Sequence, residues 1–278
     1  MKMRLLTTIT SILAAALLLA SCSDLSNDTT EQTGSLQVLL TDAPANYEEV
    51  WVDIQEVRVH RSDDADEEEG EEEDGEWETI NDQPIRANLL ELTNGDYEIL
   101  GEAELEPGTY SQIRLILGDQ NELVIDGETH QLTTPSAQQS GLKLNVNAEI
   151  EGGENYTLLL DFDASRSIVK AGNSGKYILK PVIKAVNLAQ TGAIGGTVEP
   201  AEALPWVYAI ADEDTLAGTQ ATDEGEFLLI GLLNGNYQVS VEPSTEDYDP
   251  EIISDIEVVA PDTTVIDTVS LSESGSGE

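Results

Sequence analysis

Two pairs of side chains in this sequence stand two residues apart and are of types that do chemistry. Asp161 and Asp163 flank Phe162 at the end of the run Tyr156-Thr157-Leu158-Leu159-Leu160. Residues i and i+2 of a strand project from one face, so these carboxylates can share a proton or a metal ion. The competing reading is structural: Asp161, Asp163 and Ser165 bond backbone at a strand end and pair with Arg166 or Arg114, as carboxylates beside arginine commonly do. Trp206 and Tyr208 share a face in the same way. They form either a platform on which a sugar ring stacks or a packed surface, with Ile210 on the inner face of the sandwich or between domains, since core packing is the default for aromatics at period two. His60 and His130 have no Ser or Cys partner in a triad context, and no cofactor is implied. Asp42, before Ala43-Pro44, reads as a turn former. Trp51 and Trp77 stand isolated.

The elements that must position these residues are strands. Leu36, Val38 and Leu40 alternate with Ser35, Gln37 and Leu39 before Thr41-Asp42-Ala43-Pro44 stops the strand. Val50, Val52 and Ile54 alternate, then Val57 and Val59 resume in the opposite phase, which predicts a β-bulge. Asp126-Gly127 between Glu122–Ile125 and Thr129–Leu132 predicts a hairpin, because that pair accepts positive φ. Ile113, Leu115 and Leu117 continue the pattern, as do Leu142, Leu144 and Val146. Only Arg86 to Leu92 offers a short helical turn. The run Asp63 to Glu78 carries 12 acids in 16 residues and can bury nothing, so residues 61–76 are expected to form a solvated loop. It lacks the Asp-x-Asp-x-Asp-Gly order of an EF-hand.

Composition limits the function classes. The chain has 278 residues, 55 Asp plus Glu against 12 Lys plus Arg, and a net charge of −43. That balance, without a basic patch, excludes ordinary binding to nucleic acid or to anionic lipid through Lys/Arg clusters. The single Cys excludes an internal disulfide or a Cys-based zinc site. Lys2 and Arg4 precede an apolar run from Leu5 to Ala20, too short for a comfortable span. The run ends Leu19-Ala20-Ser21-Cys22, which resembles a bacterial lipobox, in which the Cys is lipidated after cleavage. Residues 1–21 are thus expected to be a signal peptide, 22–33 a tether lipidated at Cys22, and the protein a resident of the cell envelope, at the outer membrane. Cleavage leaves 10 basic against 55 acidic side chains, a net of −45. Such acidity suits a surface kept hydrated in high salt, or a merely acidic surface protein.

Five ordered motifs carry a first resemblance: Leu39-Leu40-Thr41-Asp42-Ala43-Pro44, Tyr110-Ser111-Gln112-Ile113-Arg114-Leu115, Gly141-Leu142-Lys143-Leu144, Asp161-Phe162-Asp163-Ala164-Ser165-Arg166-Ser167, and Tyr177-Ile178-Leu179-Lys180-Pro181-Val182-Ile183. Over residues 34–188 the chain resembles the lipoprotein family called domain of unknown function 4382, which implies a secreted β-rich domain and no established chemistry. A second resemblance covers residues 191–272. Gly195-Gly196-Thr197-Val198, Thr222-Asp223-Glu224-Gly225-Glu226-Phe227 and Gly231-Leu232-Leu233-Asn234-Gly235-Asn236-Tyr237 look like the carboxypeptidase regulatory-like, transthyretin-type sandwich, often grouped as carbohydrate-binding-like. It implies a core of Phe227, Tyr237 and Val239 and does not specify a ligand. Residues 273–278 form a polar tail. The expected fold is all-β, two consecutive β-sandwich domains after a lipoprotein signal peptide. The expected role is non-enzymatic binding or scaffolding at the cell surface, with a glycan or protein ligand. The alternative is a metal-dependent hydrolase or enzyme accessory subunit built on Asp161 and Asp163.

Overall fold

The computed structural model describes residues 32–43, 45–62, 77–134, 141–172 and 175–275. Cys22 and the signal peptide, nearly all of the tether, Pro44 and most of the acidic run lie outside these residues. The chain is all-β, with two hydrophobic cores that divide it near residue 190. Lobe one holds β1 (Gly34–Ala43), β2 (Glu49–Arg61), β3 (Trp77–Asn81), β4 (Ile85–Asn88), β5 (Glu98–Leu105), β6 (Gly108–Leu117) and β7 (Glu122–Ile125). It continues through β8 (Glu128–Thr133), β9 (Leu142–Ile150), β10 (Asn155–Asp163), the one-turn helix α1 (Ala164–Ser167), β11 (Ile168–Lys170), β12 (Tyr177–Leu179) and β13 (Ile183–Asn187). Lobe two holds β14 (Gly192–Glu199), β15 (Trp206–Ala211), β16 (Asp214–Gln220), β17 (Glu226–Leu232), β18 (Gly235–Glu242), β19 (Glu251–Val258), β20 (Thr263–Val265) and β21 (Val269–Ser270).

In lobe one a four-stranded sheet, ordered β13-β10-β1-β5, faces a larger sheet built round β2 and β6. β1 and β10 pair in parallel, Leu36 opposite Tyr156 through Ala43 opposite Asp163. Leu36, Val38, Leu40, Leu158, Leu160 and Phe162 fill the first core. Leu39 and Leu159 belong to the other face and are buried too. A parallel strand pair covered on both sides reads as a nearly unbroken apolar run, which is why Leu158-Leu159-Leu160 does not alternate. The bulge expected in β2 is present: its pairing with β6 shifts between Ile54 and Glu56. The Asp126-Gly127 hairpin is also present, with φ of 53° and 71° as a two-residue turn of this hand requires. The short helical turn falls at Leu89–Glu91.

β1 does not stop where the turn signal placed its end. It runs to Ala43, and Asp42 is a buried strand residue whose Oδ1 accepts a 3.0 Å hydrogen bond from the Ala164 N–H. A carboxylate that caps the backbone of a neighbouring element thus replaces the expected turn former.

Lobe two stacks β17-β14-β20, with β21 also on β14, against β16-β15-β18-β19. Phe227, Tyr237 and Val239 are in its core, as the second motif set implied. Gly196 lets this happen: a Cβ there would lie 2.8 Å from the Phe227 ring. The inner face of β15 is Val207 and Ala209, both fully buried. The reading of Trp206, Tyr208 and Ile210 as the inner face is therefore corrected; they occupy the outer, half-buried face. The small residues face inward because a sandwich of this thickness already holds Phe227 and Tyr237.

Candidate functional site

Lobe one meets lobe two along the second face of its β1/β10 sheet. The Asn94-Gly95 turn, at φ of 60° and 88°, inserts between β16 and β17. Its N–H donates to Thr219 Oγ1 at 2.8 Å, its Nδ2 donates to the Gln220 and Glu226 carbonyls at 3.2 and 3.3 Å, and its Oδ1 accepts from the Leu228 N–H at 2.7 Å. One side chain thereby satisfies groups on both sheets of the sandwich. Asn tolerates the left-handed backbone that this approach demands. Thr41 holds the turn from below, donating to the Leu92 carbonyl at 2.8 Å. Along the same seam Gly231 lies so close to β10 that a Cβ would sit 3.2 Å from the Leu159 side chain.

The polar end of this seam collects the acids picked from sequence. A cavity of about 110 Å³ is lined by Asp161, Asp163, Arg166, Lys184 and Leu216, among others. Asp161 lies opposite Lys184 across β10 and β13. Desolvation pushes the Asp161 carboxyl up to about 6, Lys184 opposes that rise, and Asp163 adds to it. Burial in turn lowers Lys184, with Asp161 acting against it, and its Nζ donates to the Leu216 carbonyl of lobe two at 3.3 Å. Asp42 is held well above the usual carboxylate range by burial, against the bond from Ala164 and with help from Asp161 and Asp163; its Oδ2 is buried without a hydrogen-bond partner. A neutral carboxyl at Asp42 avoids the cost of a buried charge.

Asp163 has a different task. Its Oδ1 accepts from the Arg166 N–H at 2.9 Å and from Ser165 Oγ at 2.7 Å, capping α1. Its Oδ2 lies 3.7 Å from Arg166 Nη1. Arg114 is not in this site; its guanidinium lies over Trp77 at 4.0 Å. Trp51 likewise carries Arg86 over its ring at 4.6 Å, so neither tryptophan is isolated in space. Among the described residues no group of three or more His, Cys, Asp or Glu is arranged to hold a metal ion.

The second sequence-picked pair borders the first. On the outer face of β15, Trp206 lies between Gln220 and Glu242, Tyr208 between Gly218 and Ser240, and Ile210 between Thr215 and Gln238. The Tyr208 hydroxyl is raised by burial, by Glu242 and by Asp163, and the adjoining strand β16 lines the cavity with Asp161 and Asp163 through Thr215, Leu216 and Ala217. Two pairs more than 40 residues apart in sequence thus converge. Lys184 and Asn94 were not found from sequence. Lys184 stands in a single run of alternating Ile183-Lys184-Ala185-Val186, and Asn94-Gly95 carries an ordinary turn signal that says nothing of insertion into another lobe.

An all-β protein of two joined lobes, with a buried ionic seam and an aromatic outer face, is the class these features define. The family model for Domain of unknown function (DUF4382) matches residues 33–181, more than half of the chain, and the chain belongs to that family. No curated protein matches it. Among solved structures it is similar to a type II cohesin–X-dockerin complex from Acetivibrio cellulolyticus, at 13% identity over 30% of this chain, with a TM-score of 0.24. The aligned part of this chain spans 58% of that one. It is also similar to the shaft pilin spaA from Lactobacillus rhamnosus GG (11% identity, 87% of this chain, 98% of that chain, TM-score 0.25). The minor pilin GBS52 from Streptococcus agalactiae stands alongside (12%, 87%, 98%, TM-score 0.23). Likenesses at this level carry no functional argument.

Proposed function

We propose that this protein is a lipid-anchored component of the cell envelope, held at the outer membrane through Cys22, that binds a glycan on the outer face of β15. The observation that supports this reading is the outward placement of Trp206 and Tyr208 beside Gln220, Gln238 and Glu242. Aromatic planes supply stacking area for a sugar ring, and neighbouring amides and carboxylates supply hydrogen bonds to its hydroxyls. Residues 191–272 fit the carboxypeptidase regulatory-like sandwich on the same reading. The hydrolase alternative is weaker, because Asp163 is spent on α1 and Asp161 faces Lys184. A glycan array followed by tryptophan fluorescence titration tests the proposal. A hit whose affinity falls at least tenfold in Trp206→Ala and Tyr208→Ala supports it; a hit indifferent to both substitutions, or no hit at all, overturns it. The anchor is tested separately: Cys22→Ser should abolish acyl labelling and release the protein from the membrane fraction.

A further inference from the structure

The two sheets of lobe two are left open along one side. β19 ends one sheet and β20 ends the other, and among the described residues each pairs with a strand on one side only. The two walls are tied at both ends. Thr264 Oγ1 donates to the Glu257 carbonyl at 2.7 Å at one end, and the Asp249 N–H donates to the Ser272 carbonyl at 2.9 Å at the other. Between these ties they part and leave a groove of about 690 Å³, lined from residues 251–257 and 264–270. Its floor is apolar, because Ile253, Ile256 and Ile266 pack against the second core. Ile253 and Ile256 stand three apart and still share that face, since the pairing of β19 with β18 slips between Tyr237 and Val239. Asp255 and Glu257 flank Ile256 and so belong to the opposite, exposed face of the strand. Asp267, exposed beside Ile266, lines the groove from the other wall.

Charge specifies the occupant. Lys184 is the last basic residue of the chain, and residues 185–278 hold 19 Asp and Glu with no Lys, Arg or His. No cation of lobe two can therefore answer the carboxylates at the groove; a partner has to bring its own. The same arithmetic disfavours a second copy of a chain at −43, whose lobe two would meet acids with acids. Carboxylates and a bulge on an edge strand discourage indiscriminate pairing, and here they set the sign of the strand that is admitted. A strand laid beside β19 places alternate side chains on its two faces. Aliphatic residues of such a strand would cover Ile253 and Ile256, and the residues between them would lie beside Asp255 and Glu257, where Lys or Arg is favoured. The free length of β19 between the ties is roughly 15–20 Å at about 3.3 Å per residue, enough for a short extended segment.

We infer that the groove between β19 and β20 docks an extended segment of another protein in which aliphatic and basic residues alternate, added as a strand to the free edge of β19. This inference rests neither on the glycan face nor on the lipid at Cys22. The test uses the full chain carrying Cys22→Ser and a fluorescent, end-blocked peptide, Lys-Val-Lys-Val-Lys-Val-Lys-Val, read by anisotropy at low salt. Binding that falls at least tenfold for the same residues in block order, four Lys then four Val, supports the inference; equal binding of the block peptide would show bulk charge at work and overturn it. No binding at about 1 mM peptide also overturns it. N-methylation of the Val residues in one peptide and of the Lys residues in another removes the donors of one edge at a time. A strand that bonds β19 loses at least tenfold in one of these peptides only, and equal effects in both overturn strand addition. Glu257→Lys with Asp267→Lys should weaken the Lys-Val peptide at least tenfold and admit the Glu-Val counterpart. The pair Glu149→Lys with Glu154→Lys, exposed in lobe one, makes the same change in net charge and should weaken binding no more than about twofold to threefold; equal loss in both pairs overturns the assignment. Dimerisation of the wild type in sedimentation velocity, lost in the groove pair, would give the groove to a second copy and overturn it too. Circular dichroism of each variant shows that the fold is intact, and the peptide series on the wild type stands whether or not a variant folds.

Discussion

The seam and the outer face of β15 are built on the same sequence device, two functional side chains at i and i+2, and they end beside different partners. Asp161 and Asp163 are covered by a second lobe, matched with Lys184 and Arg166, and tied into backbone. Trp206 and Tyr208 look outward from a strand whose small residues, Val207 and Ala209, took the core. Period two states which side chains share a face; it does not state what that face meets. All four side chains are half-buried, so what separates the two pairs is the partners each face meets and not the degree of cover.

The comparison can be broken by substitution. Phe227→Ala should cost about 3–5 kcal/mol as a core cavity, whereas Trp206→Ala, on the outer face, should cost under about 1.5 kcal/mol. Urea denaturation of the two variants checks this, and equal losses would return Trp206 to the core. Asn94→Ala removes three side-chain hydrogen bonds that join the lobes, and at about 1 kcal/mol each the loss should approach 3 kcal/mol. If the seam is what holds the lobes together, that variant should also unfold in two transitions where the wild type shows one.

A smaller effect sharpens the electrostatics. Asp161 has a folded pKa raised to about 6, above its value in an unfolded chain. Its contribution is therefore fully present at low pH and is lost as pH rises through about 6. Acidification from pH 7 to pH 5 should stabilise the wild type through this group by about 1.3 kcal/mol, and Asp161→Asn should lack that gain. Pairing with an arginine, the alternative weighed from sequence, requires the opposite sign. Thermal melts of both proteins at the two pH values decide between them. The smallest expected effect concerns the surface as a whole. Sodium chloride shortens the Debye length from about 10 Å at 0.1 M to about 3 Å at 1 M, so the melting temperature at pH 7 should rise with salt. A flat or falling response would show that the carboxylates are already compensated.

Much of the architecture was legible because it follows from local rules. The bulge in β2, the Asp126-Gly127 hairpin, the change of texture near residue 190 and the core roles of Phe227, Tyr237 and Val239 are consequences of alternation, turn chemistry and glycine placement. The errors fall where segments far apart in sequence meet. Asp42 looked like a turn former because its neighbours are Ala43 and Pro44, and the Ala164 N–H that claims it is 122 residues away. Leu39 and Leu159 interrupt the alternation because the second face they serve is buried as well, by a lobe that no local window contains.

By itself, then, the sequence determined the strand period, the turns, the two cores and the global acidity, since each depends on neighbours within a few residues or on composition alone. Tertiary structure alone decided which face of β15 is open, that Lys184 answers Asp161, and that Asn94 bridges two sheets of another lobe. These are matters of long-range pairing and of solvent access. Burial sets the sign of the Asp161 shift, and burial is a property of what packs above a residue and of nothing in its own segment.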